Sequence, residues 1–187
     1  VEHLSPVGLS IPEDTDVLWV MHPRNWPVDA LKQVKAYIEA GRHAVILIDP
    51  NAESVPVMSV SDTALSNLYL GSGLETLFGA WGIGFNPGQV VLDSKYAWLM
   101  QLDENQFPKR NPALLSLPPQ AMNQNDPATA ALDRIVLSSV GALTLDDDSP
   151  LKIEPLLQSS DSSRLISAEE FRKAADGPES LLNGFVA

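Results

Sequence analysis

The 187-residue chain predicts an α/β fold, a three-layer sandwich around a mostly parallel sheet. Three observations carry that expectation. Two continuous apolar runs, Asp16 to Pro23 and Ala44 to Pro50, each end in a polar residue followed by proline. A single amphipathic helical stripe lies between them. A further helix-then-strand step follows from Ser72 to Asp93. Continuous apolar runs are how strands buried on both faces of a parallel sheet read.

In chain order, Val17-Leu18-Trp19-Val20-Met21 forms the first strand, closed by His22-Pro23. Pro27 to Ala40 carries Val28, Leu31, Val34 and Ile38 on one stripe, with Pro27 in the first turn and Gly41 as the stop. Val45-Ile46-Leu47-Ile48 is the second strand, closed by Asp49-Pro50, which completes a βαβ unit. Residues 51 to 71 show no period and read as a long loop. Ser72-Gly73-Leu74-Glu75 has the form of a capping box. Leu74, Leu77, Phe78 and Trp81 then fall at helical spacing, and Gly82 ends the helix. Gln89 to Asp93 is the third strand. Residues 9–103 form the predicted core of one domain, and residues 104–187 complete it through a proline-rich excursion; two domains divided near Asp103 is the alternative. Within that second part, the run Ala113 to Leu117 is short and apolar. Ile135 to Leu145 and Lys152 to Leu157 read as strands, and Ser167-Ala168-Glu169-Glu170 as a second capping box.

Composition excludes several functions. Hydrophobic residues make up 44% and charged residues 19%, a globular balance. Acids outnumber bases 24 to 12, and the net charge of -12 opposes binding to nucleic acid or anionic lipid. No cysteine is present, so thiolate metal sites and cysteine nucleophiles are excluded. The run from Thr76 to Leu92 is broken by four glycines, Asn86 and Pro87 and cannot be one membrane span. The opening at Val1 and the ending at Ala187 are expected to mark a piece of a longer membrane protein, its membrane segments lying outside.

Phosphate-cradle, dinucleotide and nucleophile-elbow motifs are absent, so no catalytic residue is assigned and no cofactor is expected. His3, His22 and His43 lack metal-ligand spacing, and Asp146 to Asp148 lacks the alternation of a calcium loop, so no metal is expected either. The four tryptophans read as core and interface anchors. In a parallel sheet ligands sit beyond the carboxyl ends of the strands. His22, Asp49 and Asp93 occupy those ends, with Asn51 and Lys95 just beyond. These five are the candidate ligand-binding residues of a polar, non-catalytic cleft. The plainer alternative is that His22 and Asp49 bond loop backbone and shape the turns before proline.

The ordered set Asp16-Val17-Leu18, His22-Pro23, Val45 to Pro50, Leu74-x-x-Leu77-Phe78-x-x-Trp81-Gly82-Ile83 and Val90-Val91-x-Asp93-x-x-x-Ala97 resembles the GldG-like family. These are extracytoplasmic auxiliary components of gliding-motility-type ABC transporters, and the resemblance is strongest over residues 9 to 100. It implies a Rossmann-like, class I amidotransferase-like sheet without a catalytic triad. It also implies an inner-membrane protein whose periplasmic domain accompanies an ABC-2-type permease and its ATPase by protein contact or cargo binding. Self-association is a further possibility under this reading. A small-ligand or glycan-binding module and a hydrolase on an amidotransferase-like fold are the alternatives, the latter needing a nucleophile that the sequence does not display.

Overall fold

A computed structural model describes residues 1–23, 26–50, 74–101, 107–147, 149 and 151–175. The chain divides into two compact units, Val1–Pro87 with Leu143–Leu151, and Gly88–Ala142 with Lys152–Ala187.

In the first unit, β1 (Val17–Met21) pairs in parallel with β2 (His43–Leu47), and α1 (Val28–Glu39) connects them. The helix stops where the sequence says it must. Gly41 takes φ +79°, and its N–H donates to the Ile38 carbonyl at 2.9 Å. β1 alternates rather than being buried on both faces. Leu18 and Val20 pack against Val34 of α1, while Val17, Trp19 and Met21 are exposed. On α1 the buried residues are Ala30 and Val34, with Leu31 and Ile38 partly buried, and Val28 faces out.

The second helix, α2 (Glu75–Gly79), is short and opens at Leu74 with no side-chain cap bond, rather than at the expected Ser72, which lies outside the described residues. Leu74, Leu77, Phe78 and Trp81 are all buried in the same core, as their spacing requires. The backbone then tightens to i→i−3 bonds, Trp81 to Phe78 at 2.9 Å and Gly82 to Gly79 at 3.2 Å. From there β3 (Ile83–Phe85) pairs antiparallel with β8 (Leu143–Leu145). Gly82 has φ +68°, and its carbonyl accepts the Asp146 N–H at 2.9 Å. The Ser149 hydroxyl donates to the Trp81 carbonyl at 2.6 Å, locking the two turns together.

In the second unit, β4 (Gln89–Asp93) pairs antiparallel with β9 (Ser163–Ser167). A three-stranded antiparallel sheet holds β5 (Ala97–Met100), β6 (Lys109–Leu117) and β7 (Ile135–Ser138) in that order. Val90 and Leu92 of β4 face a core with Ala113, Ile166, Ala168 and Phe171, and Val91 faces another with Leu115, Leu117, Ala121 and Met122. α3 (Ala168–Ala175) opens on Ser167, whose hydroxyl accepts the Glu170 N–H at 3.0 Å.

The fold therefore differs from the expectation of a three-layer sandwich with a mostly parallel Rossmann-like, class I amidotransferase-like sheet. Among the described residues one pairing is parallel and the other four are antiparallel. The reason is connectivity. A parallel neighbour needs a crossover of a dozen or more residues, usually helical. From β3 to β9 the described residues hold no α-helix, only one 3₁₀ turn at Pro119–Ala121. The link from β5 to β6, residues 101–108, is too short for such a crossover, so β6 returns antiparallel. The strand expected over Ile135 to Leu145 is two strands, β7 and β8, in different sheets. Lys152 to Leu157 contributes a single bridge, Met122 with Leu157.

Gly82 and Gly41 make a testable pair. Both have left-handed backbones, but a Cβ on Gly82 would lie 2.8 Å from the Ser149 Cβ and 3.0 Å from its Cα, whereas one on Gly41 meets nothing within 4 Å. Gly41→Ala is expected to cost about 1 kcal/mol from backbone strain alone. Gly82→Ala is expected to cost clearly more, about 2 to 4 kcal/mol with the added overlap. Chemical denaturation of the two variants measures the order, and equal losses would refute the contact argument.

Candidate functional site

The parallel pairing brings the ends of β1 and β2 to one edge of the first unit. His22 lies immediately after β1, and its N–H extends the ladder by donating to the Leu47 carbonyl at 2.9 Å. Its backbone sits at φ +44°, a conformation that costs a non-glycine residue about 1 to 2 kcal/mol. Its Nδ1 is buried and has no hydrogen-bond partner among the described residues. Asp49 follows β2 at the same edge, half-buried, and Pro50 behind it is fully buried. Asn51 lies outside the described residues.

The other two candidates lie in the second unit, because β4 joins β9 rather than the β1–β2 sheet. Asp93 has no exposed surface. Its carboxylate accepts four hydrogen bonds: the Ser160 N–H at 2.7 Å, the Ser160 hydroxyl at 2.7 Å, the Lys95 N–H at 2.9 Å and the Tyr96 N–H at 3.1 Å. Burial pushes this carboxyl up, but the bonds from Ser160, Tyr96 and Lys95 outweigh it and hold the group below its ordinary value of 3.8. Asp93 thereby fastens the turn between β4 and β5 to the segment leading into β9.

That turn delivers Lys95 to the rim of an open concavity of about 410 Å³, lined also by Tyr96, Trp98, Arg110, Ser116 and Arg134. A bulge shapes it. Ala97 pairs with Leu115 but Trp98 pairs with Asn111, so Pro112, Ala113 and Leu114 of β6 are passed over. Pro112 has no N–H to lose there, and the Asn111 side chain accepts the Ala113 N–H at 3.0 Å. The Arg134 guanidinium lies 5.6 Å from the Trp98 ring centroid and donates to the Ser116 hydroxyl at 3.0 Å. The Lys95 ammonium lies 5.6 Å from the Tyr96 ring centroid, and Arg110 donates to the Ala97 carbonyl at 3.2 Å.

Sequence reasoning singled out Lys95 but missed Trp98, Arg110, Ser116 and Arg134. Their one local signal is Lys95-Tyr96-x-Trp98, a cation beside aromatics at strand spacing. The rest depends on strand pairing across up to 39 positions of chain, from Lys95 to Arg134. Asp146 and Asp147 of the acidic triplet are exposed, and Asp148 lies outside the described residues. No helix among the described residues is long and apolar enough to cross a membrane.

A family model described as an ABC-type uncharacterized transport system, the auxiliary component, matches residues 1–187. No curated protein and no solved structure matches the chain.

The Asp93 network predicts a specific acid sensitivity. A folded-state pKa held down contributes stability above the unfolded value, and that contribution is lost as pH falls from 3.8 through the lower folded value. Asp93→Asn points an amide N–H₂ at the Ser160 donors and is expected to cost at least about 2 kcal/mol near neutral pH. The variant should also lose part of the native chain's stability decline below the ordinary carboxylate range. Thermal melts across acid pH measure both; an unchanged melting temperature would show that the network carries no stability.

Proposed function

This chain belongs to the family of auxiliary components of ABC-type transport systems, and from that premise we propose that it is a GldG-like, non-enzymatic domain of an auxiliary subunit. In this reading it stands on the extracytoplasmic side of the inner membrane beside an ABC-2-type permease and its ATPase, and acts by protein contact or by holding cargo. The family match over the whole chain is the observation that carries the role. The ordered motifs from Asp16 to Ala97 support the GldG-like assignment.

Two features of the first unit support a contact at its β1–β2 edge. A residue in a strained backbone with a buried, unsatisfied polar atom is retained at a cost, and such residues cluster at binding and switch sites. His22 has both features and shares its strand edge with Asp49. These two, with Asn51, are the proposed contact residues of the first unit. Asp93 and Lys95 serve the second unit, Asp93 by positioning the backbone that carries Lys95.

Two measurements test this. The auxiliary subunit containing this domain, expressed with the permease and ATPase of its transport system, is expected to purify with them; failure to associate with any ABC component would overturn the role. His22→Gly removes both the strain and the orphaned Nδ1 and is expected to raise the stability of the domain by about 1 kcal/mol. The same variant, and Asp49→Ala, should lower transport by the assembled complex. Unchanged transport would mean that His22 and Asp49 only form the turns before proline.

A further inference from the structure

We propose that the concavity between β5 and β6 binds a compact organic anion, one bearing a phosphate or carboxylate group on a body of sugar size. The charge pattern carries the inference. The chain has twice as many acids as bases, 24 against 12, yet three of those bases line this one concavity and none of its lining residues is acidic. Among the described residues, three other basic side chains are paired as expected of an acidic protein, while Arg42 donates to the Glu13 and Thr15 carbonyls. Lys32, Lys35 and Lys152 each sit against a carboxylate, those of Asp29, Glu39 and Glu154.

The cations of the concavity are held differently. Arg134 is held by a hydroxyl and an indole face, Arg110 by a backbone carbonyl, and Lys95 by a phenol ring. Neutral partners orient a cation without neutralising it. Three like charges facing one space repel one another, an arrangement that an anion relieves. Because the heads are already positioned, less side-chain freedom is lost on binding.

Size and charge narrow the ligand. A volume of about 410 Å³ falls within the range of small-molecule sites and exceeds what a bare inorganic ion fills. A net charge of -12 repels a long polyanion over more than the roughly 8 Å screening length, while a compact anion meets only the local positive field. Nucleic acid and long polyanions are thus disfavoured. Trp98 and Tyr96 supply apolar edges for the uncharged part of the ligand. This inference stands apart from the transport role, since the site can fail while association with the permease holds.

The test is calorimetric titration of the chain with glucose 1-phosphate, glucuronate, inorganic phosphate and uncharged glucose, together with flotation on phosphatidylcholine vesicles with and without phosphatidylglycerol. The two anionic sugars are expected to bind and glucose is not. Each of Arg134→Gln, Arg110→Gln and Lys95→Gln should weaken binding roughly tenfold or more. The three exposed positions lie on different segments, so a folding defect in one variant, seen by melting, leaves two to decide. Binding of the soluble sugars that the Gln variants lose supports a free ligand. Binding only to phosphatidylglycerol vesicles, lost in the same variants, supports a lipid headgroup as the source of the anion. Absence of binding to every anionic probe, equal binding by the Gln variants, or equal binding of glucose would overturn the proposal.

Discussion

The buried carboxylate of Asp93 is the constraint on which the second unit turns. It receives four donors, from Lys95 and Tyr96 just after it and from Ser160, 67 positions further along the chain, and none of these donors lies in a helix or strand. An ionised group without exposed surface is tolerated only when hydrogen bonds replace the water it has lost. Here they outweigh the effect of burial and hold the carboxyl below its ordinary value. The cost of breaking this arrangement fixes the end of the β4–β9 ladder, where Asp93 pairs with Ser163, and fixes the backbone of Lys95 and Tyr96. One residue thus settles both a strand register and one wall of the concavity.

Beyond that wall, the second unit uses irregularity where a regular ladder would give a flat sheet. The bulge opposite Ala97 and Trp98 takes three residues of β6 out of pairing with β5. Proline and an asparagine side chain absorb the lost backbone bonds. The result is a hollow rimmed by Lys95, Arg110 and Arg134, each braced by a neutral group. Lys32 and Lys152, by contrast, lie against the carboxylates of Asp29 and Glu154.

The first unit shows the same logic at smaller scale. Most of its core follows from burial: Leu18, Val20, Val34, Leu74, Leu77, Phe78 and Trp81 form one cluster, and fully burying a residue such as Val34 contributes about 1.5 to 3 kcal/mol. His22 departs from this economy, with a left-handed backbone and a buried nitrogen that no described residue satisfies. The outward face of β1, with Val17, Trp19 and Met21 exposed, departs from it too. A strand that reads as continuously apolar has one face on α1 and offers the other outward.

The amino-acid sequence by itself determined the local features. The stops at Gly41 and Gly82, the cap at Ser167, the buried stripe from Leu74 to Trp81, and the βαβ start from Val17 to Leu47 are all encoded within a few residues of where they act. It also marked Gln89 to Asp93 as a strand, which β4 is. Periodicity reports which faces are buried and carries no information on the direction or identity of the partner strand. Only the tertiary structure decided that β4 meets β9 antiparallel, that Asp93 and Lys95 belong to a different unit from His22 and Asp49, and that Trp98, Arg110 and Arg134 converge. Those outcomes rest on contacts between residues tens of positions apart, such as Asp93 with Ser160, whose energies no local pattern records.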